Sequence, residues 1–389
     1  MSENKKLVPK RRFKEFENAD AWEQRELDKE AEIIAGGDID KTKIASSGKY
    51  PVIANALNGD GIVGYYDDVY RVESPAVTVT GRGDVGFAKA RDYNFTPVVR
   101  LLSVKSKHDI VFLENSINRQ NAMVESTGVP QLTVPQLGKY KLFFPTLEEQ
   151  KQIGNFFQNL DQTIALQQRK LEKMKSMKSA YLSEMFPAEG ERKPKRRFPG
   201  FTDDWEQREL GEVADIIGGG TPSTSVKEFW DGNIDWYSPV EIGDKVFVNG
   251  SQKKITDLGF QKSSAQMLPA GTVLFTSRAG IGSTAILETE ACTNQGFQSI
   301  VPKENLDTYF IYSRSHELKR YGEITGAGST FVEVSGKQMA KMPILIPDIE
   351  EQREIGNFFQ NLDQTIAFQQ QKLEKLQNIK KAYLNEMFI

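Results

Sequence analysis

This chain of 389 residues has one cysteine, Cys292, and two histidines, His108 and His316. A lone thiol excludes an internal disulfide and suits a reducing compartment, so a cytoplasmic protein is expected. One cysteine and two histidines are too few for a typical structural zinc site. No apolar run approaches the roughly 20 residues of a membrane-spanning helix. The opening residues lack the apolar core of a signal peptide. The G-x-x-x-x-G-K-[ST], H-E-x-x-H and G-x-S-x-G motifs are all missing, which argues against an enzyme without excluding one. A strong charge of one sign is lacking too. The net charge is −3, whereas a protein that coats nucleic acid non-specifically is usually basic. Any affinity for DNA phosphates should therefore be modest and assisted by partners.

What the chain does have is repetition. Residues 145–186 read PTLEEQKQIGNFFQNLDQTIALQQRKLEKMKSMKSAYLSEMF, and residues 347–388 read PDIEEQREIGNFFQNLDQTIAFQQQKLEKLQNIKKAYLNEMF. Upstream, PKRRFKEFENADAWEQREL at 9–27 returns as PKRRFPGFTDDWEQREL at 194–210. The intervening segments, about 28–144 and 211–346, share little. The pattern predicts an α+β protein: a lead-in segment plus first variable domain (1–144), a first repeated helix (145–186), a linker and second lead-in (187–210), a second variable domain (211–346) and a second repeated helix (347–389).

In the first repeat, Ile153, Phe157, Leu160, Ile164, Leu171, Met174, Tyr181 and Met185 follow heptad-like spacing, with Gln167 and Lys178 at the gaps. The second copy matches with Ile355, Phe359, Leu362, Ile366, Leu373, Leu376, Tyr383 and Met387, and with Gln369 and Lys380 at the gaps. A helix of roughly 38 residues is about 55 Å long. The Glu148–Glu149 and Glu350–Glu351 pairs suit the positive end of each helix dipole. The internal repeat predicts an antiparallel coiled coil about a pseudo-two-fold axis. Such a pair could be a packing device only, or a ruler between two binding domains. The ruler reading draws on positions outside the seam that recur unchanged: Asn155, Gln158, Asp161 and Gln162, matched by Asn357, Gln360, Asp363 and Gln364.

The repeated Lys10-Arg11-Arg12 and Lys195-Arg196-Arg197 runs read first as solvated surface and second as phosphate contacts. Trp22 and Trp205 are expected to dock each lead-in onto its domain. Both variable segments read as mixed α/β, with strands such as Tyr50–Ile53, Ala76–Thr80, Gln298–Val301 and Pro343–Ile346, and with helices near 109–122 and 307–321. Thr80-Gly81-Arg82-Gly83-Asp84-Val85-Gly86 aligns with Thr276-Ser277-Arg278-Ala279-Gly280-Ile281-Gly282, and Gln131–Leu137 loosely with Phe331–Lys337, so the two are expected to share a fold. A lone G-x-G-x-x-G at 81–86 leads into Phe87-Ala88-Lys89-Ala90, which reads as a strand and not the helix of a dinucleotide site. A tight turn presenting Arg82 and Arg278 fits better, and arginine there could reach guanine or phosphate or form an ordinary salt bridge.

Taken together, the chain resembles the specificity subunit of type I restriction–modification systems. The resemblance rests on the alternating layout, on P-x-x-E-E-Q-x-x-I-G-x-F-F-x-x-L-D at 145–161 and 347–363, on R-F-P-G-F-x-x-x-W-E-Q-R-x-L at 197–210, and on Gly219-Gly220-Thr221-Pro222-Ser223 followed by Trp230, Gly232, Ile234 and Trp236. The first lead-in departs from it, with Lys14-Glu15-Phe16 in place of Pro199-Gly200-Phe201. The resemblance implies two target-recognition domains, each reading half of a bipartite, asymmetric sequence in double-stranded DNA. It implies helices that set the spacing and dock two methyltransferase subunits, with motor-nuclease subunits joining them. It implies no catalysis and no bound cofactor in this chain; S-adenosylmethionine, ATP and magnesium would sit on the partners. The residues expected at DNA are Arg82, Lys89, Gln131 and Thr133 in the first domain, and Ser277, Arg278, Asn294, Gln295 and Lys337 in the second. A stand-alone bivalent DNA-binding adaptor and a coiled-coil scaffold are the alternatives.

Overall fold

The structure is a computed structural model that describes residues 7–121, 130–278, 280–327 and 333–389. Its contacts fall into two compact units: Met1–Arg169 with Gln371–Ile389, and Lys170–Gln370. Each unit therefore holds one variable domain, the first turns of one long helix and the last turns of the other.

In the first unit, Ala76–Thr80 reads Ala-Val-Thr-Val-Thr and is buried along its whole length. That continuous β-branched run suits a central strand covered on both faces. It lies in an antiparallel sheet of order Ala31–Ala35, Leu101–Ser106, Ala76–Thr80, Ala88–Arg91. A second sheet orders Ile62–Tyr66, Tyr50–Ile53 and Thr96–Pro97, the last pair parallel. Asp109 caps the helix Ile110–Asn118 by accepting from the Val111 and Phe112 amides. The lead-in strand Glu23–Glu26 pairs antiparallel with Lys141–Phe144.

The second unit repeats this plan with one extra strand among the described residues. Its larger sheet orders Ala214–Gly218, Gln298–Pro302, Val273–Phe275, Thr284–Leu287 and Phe247–Val248. Its smaller sheet orders Lys253–Ile255, Trp230–Tyr237 and Cys292–Thr293. Burial pushes the Cys292 thiol up to about 11, so it behaves as a core side chain. The lead-in strand Glu206–Glu209 pairs with Pro343–Ile346. The helix expected near 307–321 is two, Thr308–Ser313 and Ser315–Gly326, the first capped by Asp307.

The long helices span Leu147–Glu184 and Ile349–Met387. Every predicted seam position is buried or half-buried, and so are Gln167, Lys178, Gln369 and Lys380 at the gaps. The pairing is antiparallel in each unit. In the first, Phe156 meets Tyr383 edge-on at 5.0 Å and Asp161 binds Lys380 at 2.5 Å. In the second, Phe358 meets Tyr181 at 5.1 Å and Asp363 binds Lys178 at 2.6 Å.

Each domain is anchored to its long helix by the same three devices. The first is an aromatic cluster. Trp22 lies 5.7 Å from Phe112, which stacks on Phe388 at 5.4 Å, with Phe157 alongside. Trp205, Phe310, Phe186 and Phe359 do the same in the second unit. Both tryptophans dock their lead-ins as expected.

The second device corrects the solvated-surface reading of the basic runs. Arg12 forms a two-pronged pair with Glu149 at 2.8 and 2.5 Å, and both side chains are almost fully buried, at 6% and 1% exposure. Arg197 grips Glu351 in the same way at 2.6 and 2.7 Å. Glu149 and Glu351 are thus arginine receptors as well as acidic residues at a helix start. Lys10, Arg11, Lys195 and Arg196 stay exposed.

The third device explains the single glycine near the start of each long helix. A Cβ at Gly154 would lie 2.0 Å from Asp109 Oδ1, and one at Gly356 would lie 2.4 Å from Asp307 Oδ1. The capping aspartates of the domain helices rest directly on these glycines. Close by, Gln150 donates to Pro145 O at 2.9 Å and its Oε1 sits 3.0 Å from His108 Nδ1. Gln352 donates to Pro347 O at 3.0 Å and accepts from the Asp307 amide at 3.0 Å.

Candidate nucleic-acid interface

The arginine turns are built alike. In the first domain the Gly86 amide donates to Thr80 O at 2.8 Å and the Phe87 amide to Thr80 Oγ1 at 2.9 Å. In the second, the Gly282 amide donates to Thr276 O at 3.0 Å and the Ser283 amide to Thr276 Oγ1 at 2.9 Å. Gly86 and Gly282 adopt φ of +88° and +95°, a left-handed geometry that favours glycine. Each threonine hydroxyl also donates inward across its turn, Thr276 to Gly280 O at 2.7 Å and Thr80 to Asp84 O. The strand that follows the first turn, Ala88–Arg91, agrees with the reading that this is no dinucleotide loop.

A second segment closes on each turn. Arg82 bridges Gln131 and Arg278 bridges Glu333 in antiparallel fashion. The Leu132 amide donates to Gly81 O at 2.9 Å, and the Val334 amide to Ser277 O at 3.1 Å. Leu132 therefore matches Val334, which shifts the expected alignment of Gln131–Leu137 with 331–337 by two residues. In the corrected register Thr133 and Ser335 both begin short helices, Val134–Gly138 and Gly336–Ala340, through capping boxes closed by Gln136 and Gln338. Ala279, Phe331 and Val332 lie outside the described residues.

The structure sorts the residues expected at DNA. Arg82 is exposed on its turn and Gln131 lies beside it, half-buried. Thr133 is engaged as a helix cap, its hydroxyl 2.8 Å from Gln136 Oε1. Lys89 lies on the strand and pairs with Asp60, which holds the Asp60 carboxyl below its usual range. Lys89 is thus a committed partner and not a free cation. Ser277 departs furthest from expectation: it is 0% exposed, its hydroxyl buried, because its backbone closes the junction between Gly296 and Val334.

Arg278, Asn294 and Gln295 do gather. Asn294 Oδ1 accepts from the Gly296 amide at 2.8 Å, and the Ser277 amide donates to Gly296 O at 2.8 Å. A Cβ built at Gly296 would meet both Asn294 Oδ1, at 3.0 Å, and Arg278 Nε, at 3.6 Å. Thr221 donates to Gln295 Oε1, which brings the Gly219-Gly220-Thr221 run to the same cluster. Lys337 stands exposed on the short helix Gly336–Ala340.

In the first domain the turn is joined by two residues outside the predicted set. Asn55 Oδ1 accepts from the Gly81 amide at 2.8 Å while its Nδ2 donates to Val99 O at 3.1 Å. The next residue, Arg100, is exposed and left-handed, with φ +72°. No motif marks either; both follow from how three separate loops meet.

On the long helices, Asn155, Gln158, Gln162, Asn357 and Gln364 are exposed and Gln360 is half-buried. Asp161 and Asp363 belong to the packing, because each receives the gap lysine of the opposing helix. Asp363 also accepts from the Tyr309 hydroxyl at 2.9 Å, and burial together with that carboxylate raises the Tyr309 phenol far above its ordinary value. Their recurrence in both copies therefore has a structural cause.

Among the described residues no cluster of His, Cys, Asp and Glu side chains could hold a metal ion, and no helix is long and apolar enough to cross a membrane. His108 stacks on Phe144 at 4.4 Å and sits 3.0 Å from Glu30 Oε2, a core position.

Comparison with known proteins gives this arrangement a context. The chain is 31% identical over 190 residues to the MjaIX type I restriction enzyme specificity subunit of Methanocaldococcus jannaschii, covering 48% of this chain and 44% of that one. It is 30% identical over 167 residues to the EcoR124I/EcoR124II specificity subunit of Escherichia coli, covering 41% of each. The aligned stretches thus span less than half the length of these relatives. In fold it matches the crystal structure of a type I restriction–modification S subunit from M. genitalium, with a TM-score of 0.67, 16% identity, and 98% of this chain and 99% of that one covered. A chain from a structure concerned with complex assembly and conformational transition of the type I system matches with a TM-score of 0.53 at 18% identity, over 94% of this chain and 97% of that one. A family model described as the type I restriction modification DNA specificity domain matches twice, at residues 19–176 and 202–378. With both halves of the repeat matched, the chain belongs to the type I restriction–modification DNA specificity family.

Proposed function

We propose that this chain is the DNA sequence-specificity subunit of a type I restriction–modification complex and has no catalytic role of its own. The observation that carries the reading is the contrast between identical anchoring devices and dissimilar turn surroundings. Arg12–Glu149, Gly154–Asp109 and the tryptophan clusters recur in both halves. Asn55 and Arg100 beside one arginine turn, however, give way to Thr221, Asn294 and Gln295 beside the other. A repeated frame with two different polar edges suits an asymmetric, bipartite DNA target.

In this reading residues 1–144 and 211–346 contain the target-recognition domains, the linker and second lead-in occupy 187–210, and the long helices set the half-site spacing. The exposed Asn155, Gln158 and Gln162, with Asn357, Gln360 and Gln364, offer two equivalent docking faces for two methyltransferase subunits. Motor-nuclease subunits complete the assembly, and S-adenosylmethionine, ATP and magnesium bind those partners. Arg82 and Gln131 face one half-site; Arg278, Asn294, Gln295 and Lys337 face the other.

The test is methylome sequencing of a host that expresses this chain with the methyltransferase encoded beside it. A split motif, methylated once per strand and lost when this gene is deleted, is the expected result. Arg278→Ala should weaken discrimination at one half-site and leave the complex assembled. A formed complex with no change in methylation would overturn the assignment.

A further inference from the structure

Resting on that functional reading, we propose that the first domain reads a guanine in its half-site through a cleft between Arg82 and Arg100. The cleft is open, has a volume of about 560 Å³, and is lined by Asn55, Arg82, Gly83, Val99, Arg100 and Pro130.

Three loops that are distant in sequence form its frame, and they are locked together. Asn55 ties the Gly81 amide to Val99 O and so spends its side chain on holding the cleft. The Val98 amide donates to Ile53 O at 2.8 Å, and the Leu101 amide to Val98 O at 3.0 Å. Gly81 packs so closely that a Cβ there would lie 2.2 Å from Arg100 O. These contacts pin Arg100 at φ +72°, a conformation that costs a non-glycine residue free energy and persists only where the surroundings enforce it. An arginine held there presents its side chain from a rigid base.

The chemistry of the lining is one-sided. Two guanidinium groups supply donors, and among the described residues no carboxylate lines the cleft. Gly83 O already accepts from the Val85 amide at 2.9 Å. Val99 and Pro130 add apolar walls, and Val99 is 41% exposed. A ligand must therefore offer acceptors along one edge and a flat apolar surface beside it. In the major groove guanine presents two acceptors, O6 and N7, whereas adenine and cytosine each present an amino donor and thymine a methyl group. A backbone phosphate also offers only acceptors but has no use for the apolar walls. At the second arginine turn Asn294 and Gln295 stand nearby instead, and these carry acceptors as well as donors.

The experiment uses the full chain assembled with its methyltransferase, on duplexes in which each position of the first half-site is varied in turn. One duplex set replaces each guanine by 7-deazaguanine, which deletes the N7 acceptor alone. The variants are Arg82→Ala and Arg100→Gly, the second of which relaxes the backbone and so preserves folding. At one guanine position each variant should lose about 5- to 150-fold discrimination, the range of a bidentate arginine–guanine contact. Wild type should lose rate on 7-deazaguanine at that same position only, and Arg100→Lys should not restore the discrimination. An equal loss on every sequence with a shallower salt dependence would assign the cleft to a phosphate and overturn the proposal. Unchanged preference at every position in an intact complex would also overturn it while leaving the functional reading standing. A wild-type complex without sequence preference would remove both.

Discussion

The two halves of this molecule agree in one region and differ in another: along the lead-ins and long helices the contacts coincide almost residue for residue, and along the loops around the arginine turns they do not.

 Arg12–Glu149 and Arg197–Glu351 are the same contact made twice. Asn55 and Arg100 on one side, and Thr221 and Gln295 on the other, solve the surroundings of the turn differently. Contacts that recur belong to the frame, and contacts that do not recur are where the two domains can differ in what they bind. Substitutions made in matched pairs put that division to the test.

The largest effect should come from the buried ion pairs. Arg12→Ala leaves Glu149 charged, 1% exposed and without its partner, and removing one member of such a pair costs about 3–5 kcal/mol. Arg197→Ala should cost its own unit a similar amount, since Glu351 is equally buried. Native-state hydrogen exchange, read separately for the two units, checks both. Exchange that stays unchanged in the mutated unit would show that the pair is no part of the frame.

Next come the helix glycines. Gly154→Ala drives a methyl group into Asp109, and Gly356→Ala drives one into Asp307, so the capping aspartate must move in each case. Overpacking of this kind costs about 1–3 kcal/mol. The two substitutions should act alike, each confined to its own unit. A loss in only one unit would show that the two anchors are not equivalent.

Much of the frame was legible in the sequence because heptad spacing and exact repetition are local signals. All the seam positions from Ile153 to Met185 and from Ile355 to Met387 are buried or half-buried as read. The strands Tyr50–Ile53, Ala76–Thr80 and Pro343–Ile346 carry the bounds their β-branched runs implied. What was not legible depended on distant partners. Nothing near Arg12 announces that Glu149 will bury it, and nothing near Asp161 announces Lys380. The frame also reaches into segments that look unrelated: Asp109 and Phe112 match Asp307 and Phe310 with little surrounding identity. Ser277 looked available beside an arginine on a glycine-rich turn, yet its position between Gly296 and Val334 buries it completely. Arg100 could not be found from composition at all, because its interest lies in a backbone angle that tertiary contacts impose.

A smaller matched pair lies in the caps of the short helices. Thr133→Ala and Ser335→Ala each open a capping box, at a cost of about 1 kcal/mol. Both should loosen the arginine turn to which they are joined through Leu132 and Val334. Amide exchange at Gly81 and Ser277 would report it. Loosening at one turn alone would mean that the two-residue shift does not describe equivalent positions.

The smallest effect tests a place where the frame itself differs. Glu114 and Tyr312 each lie five residues beyond their capping aspartates, Asp109 and Asp307. Burial raises the Glu114 carboxyl above its ordinary value, opposed by the hydrogen bond from the Ala90 amide, with Asp161 raising it further. Tyr312, pushed up to about 12 by burial and Asp363, stays neutral across the physiological range. A carboxyl whose folded value is raised binds more protons folded than unfolded. Stability then falls as pH rises from about 4 through the raised value, and stays lowered above it. Glu114→Gln keeps an acceptor for the Ala90 amide and removes the charge. The variant should therefore be more stable than wild type at neutral pH, with the difference vanishing below about pH 4. Only the first unit should show this, because the second has a tyrosine at the matching position. A variant less stable than wild type at neutral pH would mean that Lys380 and Lys89 hold Glu114 as a paired carboxylate, and would make that pairing part of the frame.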